Sequence, residues 1–367
     1  MPATTAPTAD RPGQWIVSKF GNPSVLKWKA FESQPVLVDN QVLIRILVSG
    51  ISGVDNMMRT GEYPHPRTMQ PGFTLGQECV GRIEALGPDV SGDLRVGTLV
   101  ASLCFLGGYA THVLVSASEV IVLQENDDPV KVVALPLNYM TAYGLLTRSV
   151  GTLPRGSTIL IGSVSGGVGT AVAQIAKTFD MGLVLLGTCS PSKFDYVKSL
   201  GVIPIDRFTD DLPARVRELA GGKGVDVAFD AVGTEDSIRA NAAATNAGHV
   251  VVYGWMNAVA AKGGTGMAET GSSTYAALDE FIKSGRVPRT KFWAVTWDYY
   301  NTSKDEYLRD LDKIVQTVRD GSLDPIVGKL FRLDDAVAAN SLLVSGVGVR
   351  GKMEFVVDAD LAAAHHL

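Results

Sequence analysis

The stretch with the plainest chemical capacity is residues 157–177, STILIGSVSGGVGTAVAQIAK. An apolar run from Thr158 to Ile161 enters a turn of small residues, Gly162 to Gly169, after which Val168, Val172, Ile175 and Ala176 recur at helical spacing. Strand, tight loop and helix in that order make a phosphate cradle. Small side chains let backbone N–H groups approach a pyrophosphate, and the start of the helix carries partial positive charge. The strict G-x-G-x-x-G spacing is not met, because its first glycine falls on Val164; Ser163-x-x-Gly166-x-x-Gly169 stands instead. The expected phosphate contacts are Ser165, Gly166, Gly167, Val168 and Gly169. The next strand candidate ends Gly187-Thr188-Cys189-Ser190, with Ser192 and Lys193 just beyond. An acid there would hydrogen-bond the ribose of NAD and repel a 2′-phosphate. Here hydroxyls and a cation stand in its place, which suits the phosphate. Arg207, near the end of the third strand candidate, is a further cation. The expected cofactor is therefore NADPH rather than NADH.

These residues need a scaffold, and its pattern is legible. Strand candidates at 158–161, 183–188, 202–205, 225–230, 249–254 and 291–297 alternate with helical segments, the order of a doubly wound parallel α/β sheet. Ser190, Pro191 and Gly201 mark the start and stop of one helix. Ser303 with Glu306 reads as a capping box for another, ended by Gly321, and Tyr307, Leu311, Ile314, Val315 and Val318 give that helix a core-facing stripe. From Gln14 to about Asn138 the chain is instead β-rich. Val42–Val48, Cys79–Leu86, Gly97–Leu103, Tyr109–Val115 and Val120–Leu123 are short runs separated by turn residues, as in a compact barrel-like domain. Residues 255–274, WMNAVAAKGGTGMAETGSST, read as a loop or a cover over the substrate.

Composition narrows the classes. The 367 residues are 46% hydrophobic and 19% charged, which is ordinary for a globular protein of two or three domains. A net charge of −5 argues against binding nucleic-acid backbones. Cys79, Cys104 and Cys189 form no disulfide framework, the leader MPATTAPTADRPGQ lacks a signal-peptide pattern, and no apolar run of membrane-spanning length occurs. A cytoplasmic protein with no membrane partner is expected. The terminal LAAAHHL, despite two histidines, reads as a frayed tail.

Several segments then carry a family resemblance: GFTLGQECVGRIEALGPDVSGDLRVGTLVA, GGYATHVLV, NYMTAYGLL, the glycine loop, GVDVAFDAVG and GKMEFVV, in that order from about residue 14 to 357. The chain resembles the medium-chain dehydrogenase/reductase superfamily, and within it the zinc-free quinone oxidoreductase and enoyl reductase branch. GTCSPSKFDYVKSLG, residues 187–201, is similar to fungal trans-acting enoyl reductases of polyketide assembly. The resemblance implies a GroES-like domain from residues 1–138 and 300–367, with a Rossmann NADP-binding domain, 139–299, between them. It also implies a homodimer.

Zinc-using relatives place Cys and His where this chain has Ser52 and Gln77, and their closely spaced structural cysteines are missing, so no metal is expected. Asn138 and Thr141 are implied at the nicotinamide, and Gly233 and Gly254 at strand ends would line the same cleft. Asp55 reads as a helix cap, and Glu78 as either a structural pair or an active-site acid. Tyr63 matches a cleft tyrosine of this branch; its phenol, with Ser52 beside it, would hydrogen-bond and protonate the substrate. The implied reaction is hydride transfer from NADPH to an activated C=C bond or a quinone, with a small-molecule enone or quinone as substrate. Two alternatives stand beside it: an enoyl reductase acting on a chain tethered to a carrier protein, and a crystallin-like protein that binds NADPH without turnover.

Overall fold

The computed structural model describes residues 12–33, 35–208, 211–256 and 273–367. The larger part of the 255–274 stretch thus lies outside the described residues.

Six short strands form a parallel sheet in the order Ile203–Asp206, Val184–Cys189, Thr158–Ile161, Val227–Asp230, Val250–Val252, Thr290–Phe292. Ile159, Leu160, Ile161, Ala228, Phe229 and all three valines of 250–252 are inaccessible to solvent, because helices cover both faces of the sheet. The chain starts in the middle, winds out to one edge, then returns and winds to the other. This is the doubly wound order, whose reversal leaves a crevice at the carboxyl ends of Thr158–Ile161 and Val227–Asp230.

The last strand is shorter than the expected 291–297. Past Phe292 the chain winds into a π-helical turn, Val295–Tyr300, held at its start by the Asp298 carboxylate, which accepts the Ala294 N–H at 2.7 Å. The helix Lys304–Arg319 forms with its predicted buried stripe of Tyr307, Leu311, Ile314 and Val315. Its expected capping box does not: the Ser303 side chain caps nothing, and Glu306 pairs outward with Arg148 at 2.8 Å. Ser190 likewise precedes its helical turn without a side-chain cap.

The remaining residues build a seven-stranded sheet around Gln41–Ile51, which pairs antiparallel with Cys79–Leu86, His112–Ser116 and Lys352–Val356. A hairpin of Gly13–Val17 and Leu26–Ala30 packs beside it, tied by the Trp15 indole N–H to the Leu333 carbonyl at 2.9 Å. Neither the hairpin nor the strand Val327–Arg332 shows strict alternation, so periodicity leaves them unmarked. Among the described residues no helix is long and apolar enough to cross a membrane.

Strand Lys352–Val356 brings the end of the chain back to its beginning. Lys352 and Glu78, 274 residues apart, form an ion pair with each side chain 1% exposed. The Leu137 N–H closes the group by donating to the other Glu78 carboxylate oxygen at 2.8 Å. A buried pair of this kind is costly to break on one side only, since the survivor is left uncompensated. Lys352→Met should destabilise the protein by about 3–5 kcal/mol in urea unfolding, and adding Glu78→Gln should recover most of that loss. Additive losses in the double variant would show that the two side chains do not act as a pair.

Candidate active site

The glycine loop has the expected path with a compensated substitution. Val164 is fully buried where the strict pattern has its first glycine. It fits because Gly187 on the neighbouring strand leaves room: a Cβ on Gly187 would sit 2.6 Å from that of Val164. Gly166 precedes the helix Gly167–Thr178, and no side chain caps it, so the first N–H groups of the helix face the loop unpaired. Two of the glycines are required by close approach. A Cβ on Gly169 would lie 2.5 Å from the Val164 Cα, and one on Gly167 would lie 2.0 Å from Asn138 Nδ2. Asn138, 6% exposed, thus presses on the helix start, and Ser165 is held from below by the Gly351 N–H, which donates to its carbonyl at 3.0 Å.

Beyond the second strand three cations converge. Lys193 Nζ donates to the Gly346 carbonyl at 3.2 Å, and its pKa is lowered by burial, with the charges of Arg207 and Arg350 adding to the effect. The Arg350 guanidinium lies 5.6 Å from the centre of the Tyr196 ring, whose hydroxyl is 2.8 Å from Thr170 Oγ1. Among the described residues none of the three cations is ion-paired with an acid. Ser190 stands half-buried beside them. Arg350 was not among the sequence-derived candidates; it comes from a loop more than 140 positions downstream of Ser190, and no local pattern links the two.

At the other end of the crevice two π-helical turns face each other, Leu135–Tyr139 and Val295–Tyr300. The first has a visible cause. Pro136 has no N–H, and that of Leu137 is drawn to Glu78, so the helical ladder slips by one residue and Tyr139 N–H reaches back to Ala134 at 3.4 Å. The turn delivers Asn138 towards the glycine loop and Thr141 into a cavity of about 60 Å³, whose wall also includes Tyr63, Gln77, Trp255, Thr296 and Trp297. Tyr63 stacks on Trp255 with ring centres 5.8 Å apart and planes 17° from parallel, and Trp297 lies 5.8 Å from Tyr63 on another side. Burial pushes the Tyr63 phenol up to about 12, against smaller opposing effects of Thr296, Gln77 and Trp297. The phenol is therefore a proton-bearing donor across the physiological range.

Other candidates are placed differently. Ser52 starts the short helix Gly53–Arg59 and gives its backbone N–H to Asp55 at 2.7 Å, with its hydroxyl 3.3 Å from the same carboxylate oxygen; it does not line the cavity. Asp55, fully buried, accepts also from the Gly76 N–H and the Tyr109 hydroxyl, both at 3.1 Å, so it is a cap and a junction rather than an acid facing the cleft. Gly233 has φ +70°, and a Cβ on it would meet the Gly254 carbonyl at 2.5 Å, so these two glycines serve a turn and a close backbone approach at the crevice edge. Trp255 is a wall residue that sequence reasoning did not place there, and Gln77 was marked only as standing at a zinc-ligand position of relatives. A larger open groove of about 1000 Å³ on the β-rich side shares no residue with this cavity; of its lining side chains Arg45 is paired with Asp358, His112 lies 2.9 Å from Glu84, and Arg67 lies 5.8 Å from the centre of the Phe105 ring.

Residues 38–125 match the family model described as alcohol dehydrogenase GroES-like domain, and residues 167–269 the one described as zinc-binding dehydrogenase. Human quinone oxidoreductase is 26% identical over 339 residues, covering 92% of this chain and 95% of the relative. A zebrafish (Danio rerio) synaptic vesicle membrane protein VAT-1 homolog is 32% identical over 246 residues; the alignment takes in 67% of this chain and only half of that protein. A Pseudomonas syringae quinone oxidoreductase structure superposes with a TM-score of 0.76 at 25% identity, covering 94% of this chain and all of that one. The CurK enoyl reductase has the same fold, with a TM-score of 0.76 at 24% identity over 95% of this chain. The chain belongs to the medium-chain dehydrogenase/reductase superfamily and is an oxidoreductase similar to the quinone oxidoreductases.

One part of a matched description does not fit. A zinc site of this superfamily needs thiolate or imidazole donors, and its two positions hold Ser52, engaged with Asp55, and the neutral amide of Gln77. The superfamily's cofactor cradle does fit, on the uncapped helix start and the glycine approaches described above. That fit depends on the contact between Gly167 and Asn138. Gly167→Ala should lower stability by about 1–3 kcal/mol through this clash, and Asn138→Ala on the same background should relieve it. Equal stabilities of the parent and Gly167→Ala in urea would mean that Asn138 does not constrain the loop.

Proposed function

We propose that this protein is an NADPH-dependent, zinc-independent reductase of a C=C bond conjugated to a carbonyl, or of a quinone. The observation that carries the reading is the cluster of Lys193, Arg207 and Arg350, unpaired with any acid among the described residues at the end of the second strand of the sheet. Three like charges brought together repel, and a 2′-phosphate would offset that repulsion with charge-assisted hydrogen bonds. A mycobacterial protein of the same fold, 24% identical, has been solved in complex with NADPH, which supports the choice. Ser165 to Gly169 would hold the pyrophosphate, with Thr141 and Asn138 near the nicotinamide, and NADPH bound there would supply the hydride.

The chain's own residues then have three tasks. The aromatic walls of Tyr63, Trp255 and Trp297 exclude water and present flat faces to a conjugated substrate. Tyr63 donates a hydrogen bond to the substrate's carbonyl oxygen as charge gathers there, then gives the proton that completes the reduction. Oxidising a simple alcohol would require stabilising an alkoxide, the task zinc performs in relatives and for which Ser52 and Gln77 are unsuited.

Fluorescence titration tests the cofactor: the parent should prefer NADPH to NADH at least tenfold. Lys193→Ala or Arg350→Ala should each weaken NADPH about 10-fold and leave NADH within about threefold. Matching losses for both cofactors would remove the phosphate assignment. For the chemistry, Tyr63→Phe should lower kcat about 10- to 1,000-fold with NADPH affinity unchanged. Wild-type turnover in that variant, or robust oxidation of a simple alcohol by the parent, would overturn the reading.

A further inference from the structure

Gln77 directly precedes Glu78, whose carboxylate is consumed by Lys352 and the Leu137 N–H. Its own side chain faces the other way, into the cavity shared with Tyr63, Thr141 and Thr296. It is 2% exposed, and although its amide lies close enough to the Tyr63 hydroxyl to lower that group's pKa, neither its nitrogen nor its oxygen makes a hydrogen bond of normal geometry among the described residues. Buried amides almost always find partners, and one left bare on the wall of a cleft marks a place where a ligand supplies the partner. The Trp255 indole N–H, on the same wall and 2% exposed as a residue, is bare in the same sense.

Resting on the reductase reading above, we infer that Gln77 is a catalytic residue: its Nε2–H donates to the carbonyl oxygen of the conjugated substrate, beside the Tyr63 hydroxyl. The hydride, carrying two electrons, forms a C–H bond at the electron-poor carbon. The displaced π pair moves through the conjugated system onto the oxygen. Gln77 shares its proton with that oxygen but keeps it. Tyr63 releases the single proton that balances the reduction and regains one from solvent. A neutral amide suits this task. It donates to the oxygen without giving up its own proton, whereas a carboxylate would oppose the developing charge.

The same bareness makes the test two-sided. Replacing an unpartnered buried amide by an apolar group of similar shape removes a desolvation penalty, so Gln77→Leu should be more stable than the parent while it loses activity. The expected result is a kcat for cyclohexenone and naphthoquinone lowered about 100-fold, NADPH affinity unchanged and a higher Tm. Gln77→Met provides the same comparison should the branched side chain not be accommodated. Unchanged kcat, or a Tm that falls together with kcat, would overturn the inference, the second because it marks a structural role. Binding of cyclohexenone to the NADP⁺ complex, followed by tryptophan quenching, separates this from failure of the reductase reading. If the parent turns over no enone or quinone yet binds cyclohexenone, and Gln77→Leu binds it about tenfold more weakly, the oxygen site stands and the reaction class falls. If Gln77→Leu binds it as tightly as the parent, or the parent does not bind it at all, the oxygen site is wrong.

Discussion

The buried ion pair between Lys352 and Glu78 is the constraint on which the site depends. Taking two charges out of water is expensive, and the pair is tolerable only because the Leu137 N–H takes up the second carboxylate oxygen. Its value lies in register rather than in net stability. Lys352 belongs to the returning strand, Glu78 immediately precedes the strand Cys79–Leu86 that pairs with the central Gln41–Ile51, and Leu137 belongs to the crossover into the parallel sheet. One carboxylate therefore fixes three segments remote in sequence. The slip of the helical ladder at Leu135–Tyr139, and with it the delivery of Asn138 and Thr141 into the crevice, follows from Glu78 claiming the Leu137 N–H. Glu354, two residues after Lys352 and equally buried, has neither carboxylate oxygen paired among the described residues, and burial raises its pKa, against the opposing pull of Lys352.

The polar groups of the cleft divide into the satisfied and the bare. Asp55, Ser52, Tyr109 and the Gly76 N–H form a closed group that holds the helix Gly53–Arg59 against the loop at Gly76. Asp55 keeps this role although burial raises its pKa, because its acceptors are filled by donors from three directions. Gln77 and Trp255 are not satisfied in this way. Other bare buried groups among the described residues, at Ser49, Arg59, Thr290, Tyr300, Asn340 and Glu354, lie away from the cavity, and only Gln77 and Trp255 stand on its wall, where a bound ligand restores what their desolvation costs.

Much of this was legible beforehand where the physics is local. The six parallel strands could be read because both faces are buried, which leaves uninterrupted apolar runs such as Ile159–Ile161 and Val250–Val252. The glycine loop could be read because close approach demands small residues at Gly167 and Gly169. Ser303 and Glu306 misled because a capping box is only a local offer, and the Arg148 guanidinium outbid it from across the fold. Tyr63 was reachable only through family resemblance, since a Gly-Glu-Tyr-Pro turn says nothing of the Trp255 and Trp297 rings that bury it. Gln77 was visible as a departure from a zinc ligand, but its bareness is a property of three dimensions. Arg350 was invisible for the same reason.

Arg350, Gly351 and Lys352 show how these distant features are joined. Arg350 lies with Lys193 and Arg207 at the phosphate end, the Gly351 N–H supports the loop at Ser165, and Lys352 enters the pair with Glu78. Gly351, with φ +68°, is in the left-handed region, where a side chain would also meet the Ile326 carbonyl at 2.4 Å. This sharp local geometry turns three consecutive residues towards three different sites. The cation cluster, the glycine loop and the crossover are thus tied to one another through a single tripeptide. The phosphate site proposed at Arg350 is therefore placed by the same backbone that positions Lys352 and, through Glu78 and Leu137, the crossover bearing Asn138 and Thr141.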